Sequence, residues 1–314
     1  MKIFARSVGP CIAGALLLML PLAISSPFYL DLAIHIMIAA LIATSLNMLL
    51  GLGGLLSFAQ SALAGAAAYG VAIAGQHTGF GPWMLTAMAV SVAVAFSVVV
   101  GILALRTSGL SIGMITLAIA QVLWGVAMHW GSVTGGENGI AGIARPALPW
   151  MDTDNHIVWF EFVAICFLLV LCLVNRFMQS QLGRCLDGTR SQPRRMSALG
   201  FDIWGIRLFA FAFAGLVAAI AGVLLAFHQQ FISPHALSLG ETAESLLMVI
   251  VGGPATLLGP VVGAVIVVGF RVLVSGYIES WPTFLGLLLI GVVLFVPAGV
   301  VPGFASIFGK RSIR

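Results

Sequence analysis

The residues of this chain that could make or break bonds are few and poorly spaced for doing so. The sequence holds no His-Glu-x-x-His pair and no Gly-x-x-x-x-Gly-Lys-Ser/Thr phosphate loop. Metal-assisted hydrolysis on a helix and ATP hydrolysis by a phosphate loop are therefore missing from its repertoire. An intramembrane hydrolase would need a nucleophile beside a base, and that pairing is not found. No Asp or Glu falls near the centre of a long apolar run, and His35 stands alone, one turn and more inside its run. Glu161 and Arg271 lie near the ends of theirs, where long side chains reach out to the interface. An ion-coupled carrier, the rival reading, needs ionisable groups at mid-membrane depth and so fits poorly. No cofactor or metal is expected.

What remains is uncharged polarity set in apolar helix. Ser57, Gln60, Thr116, Gln121 and Thr256, with the backbone exposed at Gly252 and Gly253, are the candidates to line a solute path. Broken backbone at that depth survives only when buried in protein or lining a cavity, and its free N–H and C=O groups can hold the charged ends of a small solute.

The elements that position these groups follow from composition. Of 314 residues 61% are hydrophobic and 8% charged, with mean hydropathy +1.13. A water-soluble domain of this length does not reach such values, so lipid is the solvent for most of the chain. Apolar runs of about 20 residues each span a bilayer. They recur near 8–24, 28–50, 55–74, 83–105, 109–130, 157–174, 206–227, 245–258, 260–276 and 283–300. The fold class is all-α: a polytopic membrane bundle of about ten segments, some short or broken, forming one domain over 1–314. The run at 245–258 is short and ends in Gly252-Gly253-Pro254, which marks it as a half-membrane helix. The start of the chain also fits a cleaved signal peptide with a small-residue site near Ala23 to Ser25, against an uncleaved first helix.

Charge sorts the ends of these segments. Lys2, Arg6, Arg106, Arg176, Arg184, Arg190, Arg194, Arg195, Arg207, Lys310, Arg311 and Arg314 all fall on the side of the N-terminus. Only Arg145 and Arg271 fall on the other, where Asp31, Glu137, Asp152, Asp154, Glu161, Glu241, Glu244 and Glu279 gather. By the positive-inside rule both termini are cytosolic. Cys11, Cys166 and Cys172 lie in apolar runs and Cys185 in the basic loop, so no disulfide framework is expected. Two stripes of small residues, Ser61, Gly65, Ala68, Ala72 and Gly75 in one run and Gly215, Ala218 or Ala219 and Gly222 in another, let helix backbones approach closely.

The long polar interruption, at 175–206, reads as a cytosolic loop. Pro193 suits the first turn of a short helix and Gly200 a left-handed cap, which predicts a helix of about eight residues outside the membrane. Met196 and Leu199 lie three apart on it, with Arg184, Arg190, Arg194 and Arg195 around it. Such a surface binds a protein groove or anionic lipid, and on physics alone a solvated basic loop is the plainer reading.

Four stretches then carry a resemblance. Asn47-Met48-Leu49-Leu50-Gly51-Leu52-Gly53-Gly54 through Ser57-Phe58-Ala59-Gln60 to Gly65 and Tyr69 is similar to an N-x-x-x-G-x-x-G-x-x-S-x-G-[HQ] run. Arg106-Thr107-Ser108-Gly109, Thr116-Leu117-Ala118 and Thr134-Gly135-Gly136 are similar to R-x-x-G, T-L-A and T-G-G pieces. The basic loop from Gly183-Arg184 to Ala198-Leu199-Gly200 is the third. Gly252-Gly253-Pro254-Ala255-Thr256 to Gly259-Pro260 and Gly263-Ala264 is close to G-G-x-G-T-x-x-G-P-x-x-G-A, with Ala255 where the pattern has glycine. Together they resemble the LivM-type permease family of branched-chain amino acid ABC importers over nearly the whole chain.

That resemblance implies an inner-membrane importer half. Its partners would be a second related permease, two cytosolic ATPase subunits and a periplasmic solute-binding protein, with membrane lipid around it and no nucleic acid. It implies that Arg184, Arg190, Arg194, Arg195, Met196, Ala198, Leu199 and Gly200 form the ATPase-coupling interface. Related permeases of the family serve urea and other small solutes, so the solute is the open point. The chain departs from the pattern at Ser191-Gln192-Pro193-Arg194-Arg195, where acidic residues are common.

Overall fold

A computed structural model of the chain describes residues 26–146, 153, 155–276, 281–295 and 299–303. The expected run at 8–24 lies outside them, as do Lys2, Arg6, Cys11, Asp152, Asp154, Glu279, Lys310, Arg311 and Arg314. Helix α1 runs Pro27–Asn47, with proline at its start where a missing N–H costs nothing. It continues as a π turn, Met48–Leu52, in which Gly53 N reaches the Met48 carbonyl at 3.3 Å. Then follow α2 (Gln60–His77), α3 (Pro82–Ala104) and α4 (Leu110–His129). After the short α5 (Gly131–Thr134) and β1 (Ile140–Ala141) come α6 (His156–Gln179), α7 (Gln181–Ser191), α8 (Pro193–Ala198) and α9 (Ile203–Gln229). The chain proceeds through β2 (Phe231–Ile232) and a 3₁₀ turn (Pro234–Leu237) to α10 (Leu239–Gly252), α11 (Gly259–Ser275) and α12 (Trp281–Phe295).

The architecture is a polytopic helical bundle. Among the described residues, five runs are long and apolar enough to cross a membrane: Pro27–Leu52, Pro82–Ala104, Leu110–His129, His156–Gln179 and Ile203–Gln229. α10 has 14 residues, about 21 Å at 1.5 Å per residue, short of a hydrocarbon core of about 30 Å. The two-residue strands pair antiparallel, Ile140 with Ile232. They tie the α5 region to the end of α9.

The most apolar 18-residue window is 67% buried in α1 and 61% in α9, against 28% in α4. α1 and α9 are therefore the inner helices, while α4 turns Leu110, Met114 and Val122 outward as an exposed apolar face. With tails as apolar as leucine outside, close backbone contact is what holds such helices together. Gly222 supplies it on the α9 stripe, since a Cβ there would collide with the Ala64 carbonyl of α2. Gly215 does the same against Ser97 of α3, whose hydroxyl donates to the Phe211 carbonyl at 2.7 Å. The hairpin of α10 and α11 is as tight: a Cβ on Gly252 would meet the Gly259 carbonyl, and one on Gly263 the Met248 carbonyl.

The two ends of the bundle differ in charge. Gly51, Thr189, Arg190 and Arg207 meet at one end, and among the described residues Arg106, Arg176, Arg184, Arg194 and Arg195 share it. At the opposite end His156 Nδ1 lies 3.4 Å from Asp31 Oδ1. Arg145 there donates to the carbonyls of Thr153 and Phe227, at 3.2 and 3.4 Å.

Candidate functional site

Two features combine chemistry with access, one at each end. At the basic end, α7 and α8 form a platform. Ser180 caps α7, its hydroxyl accepting from Gly183 N at 3.2 Å, which starts a helix that the sequence reading left as loop. α7 buries Leu186 fully, near Gly53, and anchors at both sides of its last turn. Arg190 donates to the Gly51 carbonyl in the π turn, and Arg207 of α9 donates to the Thr189 carbonyl at 2.9 Å. A π turn leaves carbonyls out of register with the helical ladder, so an external donor is a natural partner there.

α8 is the short helix expected after Pro193, six residues rather than about eight. Gly200, at φ 84°, ends it with Phe201 N on the Met196 carbonyl (3.2 Å) and Gly200 N on Ser197 (3.0 Å). That is the glycine-dependent Schellman stop. No residue of α8 is buried. Met196 is half-buried because its thioether rests on Gly188 of α7, while Leu199 stands 66% exposed. Arg194 and Ala198 are exposed, Arg195 Nη1 is 3.5 Å from Gln192 Oε1, and Arg184 donates to the Gln179 carbonyl at 3.1 Å. The expected coupling residues thus divide: Arg184, Arg190 and Met196 hold the platform together, and Arg194, Ala198 and Leu199 face outward.

Of the candidate path residues, Gly252, Gly253 and Thr256 lie in a turn packed against the π turn at the same end. Ser57 and Thr116 flank the backbone of Phe58, whose N–H donates to Thr116 Oγ at 3.0 Å. Gln60 is buried with Oε1 2.6 Å from Ser45 Oγ, and Nε2 has no partner among the described residues. Thr256 bridges its own turn, donating to the Gly253 carbonyl at 2.8 Å and accepting from Gly259 N at 3.0 Å. Gly252 and Gly253 precede it, and Gln121 lies half-buried on α4. Asn47 holds this turn: its Oδ1 accepts from Ala255 N at 2.9 Å and its Nδ2 donates to the Thr256 carbonyl at 2.8 Å.

At the opposite end a cavity of about 140 Å³ opens among α1, α2, α10 and α11, beside the 3₁₀ turn. None of the candidate path residues lines it. One wall is charged. Arg271 Nη1 lies 3.0 Å from Glu244 Oε2 and 3.9 Å from Glu241 Oε1, and His235 Nδ1 lies 3.6 Å from Glu241 Oε1. Glu244 has a side chain only 6% exposed, so its charge depends on Arg271. The facing wall is largely aliphatic, with Ile38 and Ile42 of α1, Leu225 of α9 and Met248 of α10, and His35, Ser61 and Gln229 add polar groups to the lining.

This charged wall was not visible from hydropathy. An apolar run that starts at 245 leaves Glu241 and Glu244 outside the helix and Arg271 near a span end, whereas α10 begins at Leu239 and Arg271 pairs with Glu244. A signal was present: Ser238 and Glu241 are spaced as a capping box, and Ser238 Oγ accepts from Glu241 N at 3.4 Å. That cap starts α10 at Leu239 and carries Glu244 into the bundle. The absence of a Gly-x-Ser-x-Gly elbow, expected from the sequence, holds in structure but not in pattern. Gly109-Leu110-Ser111-Ile112-Gly113 spells Gly-x-Ser-x-Gly, but it opens α4 after a turn rather than a strand, and Ser111 is exposed with no His or carboxylate bonded to it among the described residues.

Comparison with known proteins follows the same lines. The family described as "Branched-chain amino acid transport system / permease component" matches residues 28–297. The chain is 27% identical over 315 residues to the high-affinity branched-chain amino acid transport system permease protein LivM of Salmonella typhimurium, covering 91% of this chain and 74% of that protein. The same figures hold for LivM of Escherichia coli. The autoinducer 2 import system permease protein LsrC of Yersinia pseudotuberculosis is 26% identical over 215 residues, covering 64% of this chain and 60% of that one. No solved structure matches.

Proposed function

This chain belongs to the branched-chain amino acid transport system permease family, and from that premise we propose how it is oriented, what it carries and what drives it. It is a multi-pass membrane protein and a transport subunit, not an enzyme. In our reading it has about ten membrane segments with both termini cytosolic, and 1–314 is a single permease domain whose 175–206 loop faces the ATPases. The sorting of arginines to one end supports that orientation.

The solute is a branched-chain or related amino acid. The autoinducer 2 permease among its relatives favours, as a second reading, another small polar solute. A second related permease completes the pathway, two cytosolic ATPase subunits power it, and a periplasmic binding protein delivers the solute. Ser57, Gln60, Thr116, Gln121, Gly252, Gly253 and Thr256 form its cytosolic half. What supports the grouping is that Asn47, where the π turn begins, bonds the α10–α11 turn that carries Thr256.

The observation that carries the proposal is α8: a helix with no buried residue, fixed through α7 to α1. A surface held that rigidly and left uncovered is built to receive a partner. ATP-driven closure of the motors then pushes α8, and α7 passes the displacement to α1 and α9. Replacing Met196 and Leu199 together by Asp abolishes co-purification of the ATPases while membrane insertion persists. Co-purification at normal yield would refute the docking role. Uptake that persists without the ATPase subunits would point instead to an ion-coupled carrier.

A further inference from the structure

The cavity at the acidic end has the composition of a binding site for one chemical class. Its charged wall sets the Arg271 guanidinium between two carboxylates, and its aliphatic wall is made by Ile38, Ile42 and Met248. A partly buried ion pair is costly to break, because removing one partner strands the other charge in a poorly solvated place, here the buried Glu244 carboxylate. A molecule that opens this pair without stranding Glu244 or leaving Arg271 to the more distant Glu241 supplies both signs at once.

An α-amino acid zwitterion does so. Its carboxylate can replace Glu244 against Arg271 as a bidentate, charge-assisted pair. Its ammonium group can replace Arg271 against Glu244, and Glu241 stays in reach of either cation. A zwitterion leaves the net charge of the wall unchanged, and an aliphatic side chain is left to lie on Ile38 and Ile42. An acid without an amine leaves Glu244 unpaired, and an amine without a carboxylate leaves Arg271 to Glu241 alone, at 3.9 Å. The resident ion pair also competes with the ligand, which keeps occupancy loose enough for release.

We propose that the Glu244–Arg271 pair is an exchangeable clamp that receives an aliphatic α-amino acid as it enters the permease from the extracytoplasmic side. The clamp rests on the amino-acid importer reading and on the orientation given above. It adds the residues that hold the solute at the entrance.

The test uses the assembled importer, with all permease, ATPase and binding-protein subunits, in proteoliposomes supplied with L-leucine. Arg271→Ala and Glu244→Gln each lower uptake roughly tenfold or more, as truncation of a buried charge pair does, while the ATPase subunits co-purify at normal yield. The double reversal Glu244→Arg with Arg271→Glu rebuilds an ion pair but turns the ligand's aliphatic chain away from Ile38, so uptake stays low. Recovery of uptake in the reversal would make the pair structural and overturn the clamp. In an Ala39→Cys variant, L-leucine slows labelling by a methanethiosulfonate, and neither isoamylamine nor 4-methylpentanoate does so at equal concentration. Labelling that ignores leucine, or that either analogue slows equally, overturns the clamp as well. Failure of the unmodified complex to take up leucine or any other amino acid would instead overturn the amino-acid reading itself; leucine uptake that survives Arg271→Ala unchanged removes only the clamp.

Discussion

Asn47 of α1 grips Ala255 across the turn between α10 and α11, its Oδ1 accepting the Ala255 N–H at 2.9 Å while its Nδ2 holds the next carbonyl at 2.8 Å. The amide serves both groups of a turn that has left its own helix. In Asn47→Ala both lose their partner, at about 1–3 kcal/mol for each group left unsatisfied. The purified permease should melt at a lower temperature in detergent, and Asn47→Asp, which sets a carboxylate oxygen against the Thr256 carbonyl at a buried site, should not rescue it. Equal melting of all three would show that the turn stands without Asn47.

Ala255 itself sits at φ 63°, in the left-handed region that costs an L side chain roughly 1–2 kcal/mol. It occupies the place where the family pattern has glycine. Ala255→Gly should therefore raise the melting temperature, the strain relieved outweighing the extra freedom of glycine in the unfolded chain, about 0.5–1 kcal/mol. A lower melting temperature would contradict the strain.

Arg190 links the platform of α7 and α8 to the end of α1 through the Gly51 carbonyl, a link that on the proposed docking role lies in the path of the stroke. In Arg190→Ala the ATPases should still bind, since α8 is intact, and still hydrolyse ATP. Uptake per ATP should drop several-fold, in keeping with loss of a charged hydrogen bond of about 1.5–3 kcal/mol. Unchanged uptake per ATP would remove Arg190 from the path of the stroke.

Gly222 packs against the Ala64 carbonyl with no room for a side chain. Gly222→Val should separate α2 from α9 and cost about 1–3 kcal/mol or more through overpacking. Gly269, where a Cβ meets nothing within 4 Å, should accept Ala with little change in yield of folded protein. Equal tolerance at both positions would deny the close contact.

Orientation is tested by single cysteines. Asn155→Cys, at the acidic end, should react with an impermeant maleimide applied outside sealed cells, and Ser191→Cys on α7 should react only after lysis. External labelling at Ser191 would invert the topology.

Much of this fold could be read from hydropathy alone, because a bilayer demands long apolar runs. The expected spans at 83–105, 109–130 and 157–174 meet α3, α4 and α6 closely. The failures came where local chemistry outranks hydropathy. α10 begins six residues before its expected start because the Ser238 cap, not apolar content, sets its first turn. α7 went unseen because Gln181-Leu182-Gly183-Arg184 is too polar to register, although Ser180 caps it. The Glu244–Arg271 pair joins residues 27 apart, and no pattern along one helix reports a contact between two. Pro193 and Gly200, whose effects are confined to their own turns, were legible and lie at the two ends of α8.

No residue of α8 is buried, so on the docking role proposed above the choice of motor becomes a trait largely separable from folding. Arg194, Ala198 and Leu199 can change without loss of a buried contact, whereas Met196 stays tied to α7 through Gly188. On that proposal, a cell holding several such importers would pool one set of ATPases among them, or keep each to its own, by changes confined to the outward surface of one short helix.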